Sequence, residues 1–266
     1  MSALTEELCG KEISSTQVSR FAEVLDEEVK KFQNRPLGKY CYLYLDADYQ
    51  KIRYEGSVRS LAVLKAVGVT DKGVREVLGV SCSLSEAEVH WRCFLESLLK
   101  RGMHGIELII SDSHSGLREA IKAVLPSVKW QRCLFHLAQN ASAYAPHTYM
   151  RKEICESVRE IYQAVDKNEA KSRLRRVVEK YHVKAERFCS WLEEQFIEGL
   201  TFFDFPKEHW KKIRTVNIVE RINQEEKRRT KIARLFPSIE SCERLVVTIA
   251  MRIHEEWATE AKYMLM

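Results

Sequence analysis

The chain contains no CxxC pair, no internal repeat, no low-complexity segment, and no apolar run close to the roughly 20 residues a membrane-spanning helix needs. These absences exclude an integral membrane protein, a repeat array and a disordered tether. Its eight cysteines are scattered without regular spacing, which argues against a disulfide framework and for reduced thiols in a cytoplasmic protein. The opening Met1-Ser2-Ala3-Leu4-Thr5-Glu6-Glu7 has neither the basic start nor the apolar core of a signal peptide. What is present is 266 residues, 45% hydrophobic and 30% charged, enough for one large domain or two small ones.

The net charge of +5 is unevenly spread. Residues 207–234 hold ten Lys/Arg against four Glu, a local +6, and 171–187 hold seven against two. Such blocks suit a polyanionic partner; the competing reading is a solvated helix face.

Residues 3–33 have helical spacing, with Ser14 or Ser15 as a cap. They form a helical hairpin or part of a helix-turn-helix, ended by Asn34-Arg35-Pro36-Leu37-Gly38. Three strands follow: one through Tyr40-Cys41-Tyr42-Leu43-Tyr44-Leu45-Asp46, one over Ser57–Val69, one over Val74–Cys82. Ser85, with Glu88 three residues on, predicts a capping box for the next helix, which stops at Arg101-Gly102. A strand through Ile106–Asp112, a helix from Ser115 to Leu125 and a short strand Val128–Gln131 complete a mixed sheet with helices on its faces. This element order, with an Asp ending two strands, is that of the ribonuclease H-like fold. Residues 133–204 read as an all-helical insertion before the basic helix near Val216–Arg229 and a last helix near Ser238–Glu255. The expected organisation is a helical remnant (1–38), the first part of the core (39–132), the insertion (133–204) and the closing helices (205–266).

Asp46 and Asp112 each end a hydrophobic strand, and together they suggest a metal site built on a sheet. Asp48 competes with Asp46, because strand alternation sets both on one face. A third carboxylate should come from the late basic helix: Glu220 is the candidate, with Glu225 and Glu226 as rivals whose bland role is pairing with neighbouring Lys and Arg. Cys133-Leu134-Phe135-His136 supplies two ligand types where zinc takes four. Packing, or a hydrogen bond from His136 near the site, is the better reading. His114 touches substrate or caps a helix. Trp130 and Trp191 are read as packing residues rather than platforms for an extruded base.

Several of these stretches carry a resemblance. Leu45-Asp46-Ala47-Asp48-Tyr49-Gln50-Lys51-Ile52-Arg53, Trp91 through Arg101-Gly102, Ser111-Asp112-Ser113-His114-Ser115-Gly116-Leu117, Gln131-Arg132-Cys133-Leu134-Phe135-His136, Phe203-Asp204-Phe205-Pro206, Thr215 to Arg229, Phe236-Pro237 and Ser241-Cys242 occur in this order. From residue 40 onward the chain resembles the catalytic half of the Mutator-type insertion-sequence transposases of bacteria and archaea. Ser113 and Val216 depart from the family's frequent Gly and Thr without removing a ligand. The resemblance implies a DDE transposase that uses two Mg²⁺ or Mn²⁺ ions, held by Asp46, Asp112 and Glu220, for DNA strand cleavage and strand transfer. His114, Cys133 and His136 would support the site. Lys211, Lys212, Arg214, Arg221, Lys227, Arg228, Arg229 and Lys231 would contact DNA phosphates. The partners implied are double-stranded DNA, as element ends and target, and a second copy or a full-length transposase in a dimer. No membrane is implied, and the protein would be cytoplasmic, on the nucleoid when bound to DNA. Family members usually carry an amino-terminal DNA-binding region, and this chain is expected to begin inside it. Two alternatives are a truncated, idle product that binds DNA or titrates full-length transposase, and a ribonuclease H-like nuclease without strand transfer.

Overall fold

A computed structural model describes residues 14–266. The first half of the helical hairpin or helix-turn-helix expected over 3–33 therefore lies outside the described residues. Helix α1 (Ser15–Asn34) starts at a capping box in which Ser14 and Gln17 exchange side-chain-to-backbone hydrogen bonds at 2.9 and 3.2 Å.

Then come β1 (Tyr40–Tyr54), β2 (Ser57–Thr70), β3 (Arg75–Ser83), α2 (Glu88–Lys100), β4 (Leu108–Ser111), α3 (Ser115–Val124) and β5 (Lys129–Arg132). The strands form one sheet in the order β3-β2-β1-β4-β5. β1, β2 and β3 pair antiparallel, while β4 pairs parallel to β1 and β5 parallel to β4. Two residues connect β1 to β2, and both have positive φ, Glu55 at 47° and Gly56 at 73°. That conformation matches the twist of a tight hairpin, and Gly56 adopts it without steric cost.

Alternation along β1 divides the core. Leu43 and Leu45 face α2 and α3 among Trp91, Leu95, Leu98 and Leu117, whereas Tyr42 and Tyr44 face the other layer. An irregularity between Tyr40 and Tyr42 puts Cys41 on the same side as Tyr42. α2 begins at Glu88 behind Ala87, which makes no side-chain cap. Ser85 Oγ instead accepts from the Ala87 N–H at 3.4 Å, so the expected capping box is replaced by a turn before the helix.

Beyond β5 every described element is helical: α4 (Leu134–Ala141), α5 (Arg151–Ile161), α6 (Lys167–Tyr181), α7 (Glu186–Gln195), α8 (Trp210–Ile213), α9 (Asn217–Ala233) and α10 (Ile239–Thr259), with short 3-10 turns between some of them. Ser238 and Ser241 cap α10 reciprocally. α10 buries Cys242, Val246, Ile249 and Ile253 against the core, as its spacing predicts. It also holds α1 through a bidentate pair, Arg244 to Asp26 at 2.6 and 2.8 Å. The loop between α9 and α10 returns to the sheet: Phe236 N donates to Lys51 O at 2.9 Å, and Arg53 N donates to Phe236 O at 2.8 Å. Among the described residues no helix is long and apolar enough to cross a membrane.

Candidate active site

β1 carries an apolar run into two carboxylates. Asp46 follows Tyr44 on the face turned to α9, and it is 6% exposed. β4 runs parallel beside it with Tyr44 opposite Ile110. Continuing that register by two residues sets Asp46 next to Asp112, at a strand spacing of roughly 5 Å. Asp112 leaves the strand half-buried, and its Oδ1 accepts from the His114 N–H at 3.1 Å. That bond fixes the turn into α3, so His114 contributes its backbone there and makes no side-chain cap. Its ring faces Glu86, with Nδ1 3.8 Å from the carboxylate.

Burial pushes the Asp46 carboxyl up to about 6, and the charge of Asp112 adds to this; the Asn223 hydrogen bond, Lys65 and His136 pull the other way. His136 sits one turn into α4. The Cys133 N–H donates to Ser111 O at 2.6 Å and ties this helix start to the strand that delivers Asp112. The imidazole is pushed up to about 9, first by hydrogen bonding to the Cys133 side chain, then by the Cys133, Asp46 and Asp112 charges, against the effect of burial. Its Nδ1 is buried without a hydrogen-bond partner among the described residues. The CxxH pair therefore sets the His136 ring near enough to both aspartates for their charges to raise its pKa.

α9 lies over the site. Asn223 Nδ2 donates to Asp46 Oδ2 at 2.8 Å. Lys65, opposite Asp46 on β2, is fully buried, and its Nζ lies 2.8 Å from Asp48 Oδ1, 2.7 Å from Asn223 Oδ1 and 2.8 Å from Glu226 Oε2. Asp48 and Glu226 are thus committed to an internal ammonium, and Glu225 pairs with Arg228 at 2.9 Å. Glu220 stands one turn before Asn223 on the same side of the helix, half-buried, its carboxylate without an ion pair or hydrogen bond among the described residues. The structure thus groups Asp46, Asp112, His136 and Asn223, while Glu220 is not drawn into contact with either aspartate. Among the described residues no three His, Cys, Asp or Glu side chains are arranged to hold a metal ion.

The expected phosphate contacts separate into two groups. Arg221 is held by Glu256 and Glu260 at 3.2 and 3.1 Å, Arg228 and Arg229 lean on Glu225, and the Lys212 ammonium sits 4.2 Å over the Tyr263 ring. Lys211, Lys227 and Lys231 are exposed and make no ion pair with a described residue. Arg214 is half-buried and also unpaired, in a pocket of about 200 Å³ with Phe135, Arg159, Gln163 and Asn217. Burial holds its guanidinium below the usual arginine range. Both tryptophans are engaged in packing: Trp130 Nε1 donates to Ser111 Oγ at 2.9 Å, and Trp191 stacks on Tyr144 at 4.7 Å.

Sequence reasoning missed Lys65 and the role of Asn223. The signal for Lys65 was available: a single lysine in Leu61-Ala62-Val63-Leu64-Lys65-Ala66-Val67, a strand otherwise apolar on both faces.

With this geometry in hand, comparison with known proteins is informative. The profile of the Mutator family of transposases matches residues 1–260. The chain is 46% identical over 261 residues to the transposase of insertion sequence element IS406 from Burkholderia multivorans, covering 97% of this chain and 67% of that protein. It is 41% identical over 262 residues to the ISRM5 transposase of Rhizobium meliloti, covering 98% and 66%. It is 36% identical over 261 residues to the IS256 transposase in Tn4001 from Staphylococcus aureus, covering 97% and 66%. The chain belongs to the Mutator family of transposases. It spans about two thirds of the length of these relatives. A solved structure, the HTLV-2 integrase catalytic core domain in complex with magnesium, aligns over 47% of this chain and 85% of that one at 16% identity and a TM-score of 0.23, too slight a likeness to carry an argument.

Proposed function

We propose that this chain is the catalytic core of a DDE transposase, with a ribonuclease H-like sheet (39–132), a helical insertion (133–204) and closing helices (205–266). It cleaves a DNA strand at an element end and joins the freed 3′ end to target DNA. The observation that carries this reading is the β1–β4 register, in which Tyr44 pairs with Ile110 two residues before Asp46 and Asp112, together with the hydrogen bond from Asn223, on the helix that bears Glu220, to Asp46.

The donor chemistry fits a hard divalent cation. Two carboxylates share one partly buried place, the charge of Asp112 disfavouring that of Asp46, and an oxygen donor set of this kind suits Mg²⁺ or Mn²⁺. Glu220 is the third ligand of this proposal. Glu226 is ion-paired with Lys65 and Glu225 with Arg228, and Glu220 alone of the three has a carboxylate with no ion pair to a described residue. When bound, two such ions activate the attacking oxygen and stabilise the leaving one during in-line displacement at phosphorus.

The chain's own residues do the rest. Asn223 holds Asp46 Oδ2 and leaves Oδ1 turned to the site. His136 sits near both aspartates, where its imidazole would meet a transferring phosphate. Arg214 and Arg159 grip a phosphodiester, with Phe135 beside it. Lys211, Lys227 and Lys231 hold the flanking duplex without reading its sequence. The partners are double-stranded DNA at element ends and target, and a second transposase in a dimer.

The test uses the full chain and duplexes with pre-cut or intact element ends. Asp46→Asn, Asp112→Asn and Glu220→Gln should each abolish Mn²⁺-dependent cleavage and joining while DNA affinity stays within twofold. An active Glu220→Gln beside a dead but folded Glu225→Gln would move the third ligand to the other glutamate. Full activity in Asp112→Asn would end the metal-site reading.

A further inference from the structure

The catalytic reading treats three carboxylates as sufficient. The layer beneath them holds a polar junction that no ligand assignment explains. Lys65 stands in a strand whose other side chains between Leu61 and Val69 are buried and uncharged. An isolated ammonium there is costly, so its partners have to be built in. They are: Lys65 Nζ donates to Asp48 at 2.8 Å and to Asn223 at 2.7 Å, and it is ion-paired with Glu226 at 2.8 Å. β1, β2 and α9 meet on that one atom.

We infer that Lys65 and Asn223 are positioning residues that orient the Asp46 carboxylate for its metal and hold the Glu220 helix above it. The argument is one of hydrogen-bond polarity. An asparagine amide has a donor end and an acceptor end, and an ammonium can only donate. Lys65 therefore forces the Asn223 carbonyl oxygen toward itself, which leaves the NH₂ pointing at Asp46 Oδ2, 2.8 Å away. Without Lys65 the amide is free to flip, and its oxygen would then face a carboxylate and repel it. With Lys65 in place, one carboxylate oxygen is held by a neutral donor and the other is kept for a cation.

The second arm runs down the helix. Asn223 and Glu226 are spaced i, i+3 and share the ammonium, so α9 is fixed in rotation and height over the sheet. The Glu220 side chain, a further three residues back, makes no ion pair or hydrogen bond with a described residue that would place it. Its position is therefore set through Asn223 and Glu226. A neutral, well-packed alternative to such a buried charge cluster would cost little stability or even add some, so the directionality of the junction is what it contributes.

The inference rests on the metal-site reading, and the experiment separates the two. Mn²⁺ binding to the full chain is measured by electron paramagnetic resonance, with no DNA and no turnover. Two variants are used. Asn223→Leu removes the hold on Asp46 together with one acceptor of the Lys65 ammonium, which keeps both acids. The pair Lys65→Met with Glu226→Gln removes the junction without stranding the fully buried Glu226 carboxylate; Asp48, the other acid, keeps some access to water. Each should bind Mn²⁺ at least tenfold more weakly than the wild type, with DNA affinity within twofold. The paired variant should also show faster amide exchange across 217–226, which a packing defect elsewhere in the core would not produce. Folded variants that bind Mn²⁺ as tightly as the wild type overturn the inference alone. A wild-type chain that binds no Mn²⁺ overturns the metal-site reading and the inference with it.

Discussion

The Lys65 junction makes a stability prediction that depends on no catalytic assumption. In Lys65→Met the long side chain is replaced by an apolar one of similar length, so little volume is lost. Asp48 and Glu226 are left without their cation, and the Glu226 side chain has no exposure to water. Breaking a buried pair by removing one partner costs about 3–5 kcal/mol. In a chain of this size that corresponds to a fall of roughly 6–15 °C in Tm. Glu226→Gln should cost less, about 1–2 kcal/mol, because Lys65 keeps Asp48 and the new amide oxygen still accepts from it. Adding Glu226→Gln to Lys65→Met should recover part of the loss, since the stranded charge is then gone. The pH dependence gives the sign. Burial already pushes the Glu226 carboxyl up to about 7 from an ordinary value near 4.5. A carboxyl raised in the folded state contributes most below its unfolded pKa, and that contribution is lost as pH climbs through the folded one. Without Lys65 the carboxyl rises further. The deficit of Lys65→Met against wild type should thus be smallest near pH 5 and largest near pH 8. Thermal melts followed by circular dichroism across that range read it directly. A loss under about 2 °C at pH 8, or a deficit that grows as pH falls, would refute the buried-charge reasoning.

Replacing Lys211, Lys227 and Lys231 with Ala should weaken binding to all DNA sequences alike and reduce the slope of log affinity against log salt by roughly 2–3. The same change at Arg221 and Arg228, which are occupied by acids of the chain, should alter the slope by less than one unit. Gly116→Ala would bring a Cβ to 2.3 Å from Glu86 O and 2.9 Å from Glu88 N, both backbone atoms. The start of α3 must then move, with a loss of about 1–3 kcal/mol in urea unfolding and a drop in cleavage, because the Asp112 turn moves with it. Tyr42→Phe removes the 2.7 Å hydrogen bond to His209 Nδ1 and should cost about 1–2 kcal/mol, leaving cleavage by the remaining folded protein unchanged.

The sheet and the aspartates were legible in the sequence because their signals are local. β-branched and aromatic runs leading to Asp46 and Asp112 mark both strands within ten residues, but only Asp112 stands at a strand end: β1 runs past Asp46 to Tyr54, against the expectation, because Asp46 and the residues after it stay paired to β2. The last helix could likewise be read from the spacing of Cys242, Val246, Ile249 and Ile253. Two things were not legible. The Ser85 capping box has the right letters, but the chain turns at Ala87 and the helix starts later, a choice made by how the 86–88 loop packs on Gly116. The fates of Glu220, Glu225 and Glu226 looked equivalent as helix-surface acids. They differ because the helix meets Lys65 across 161 residues of sequence at Glu226 and solvent at Glu225. Only the tertiary fold decides that.

The return of Phe236 to β1 bears on how the molecule comes into being. β1 and β2 are synthesised early and lie at the middle of the sheet, yet Asp46 lacks the amide that holds it, and Lys65 has only Asp48, until residues 223 and 226 exist, 158 to 177 positions later. The backbone bonds of Lys51 and Arg53 to Phe236 wait longer still. A nascent chain can form the β1–β2 hairpin and its Lys65–Asp48 pair, but it lacks the Asn223 and Glu226 partners that let this polar face be dehydrated at tolerable cost. That face stays wet and open until the ribosome has released α9, and the two aspartates and the glutamate helix are assembled in one late step. A product that stops before residue 236 therefore exposes the central strands rather than a partly working site, and is a substrate for aggregation or proteolysis.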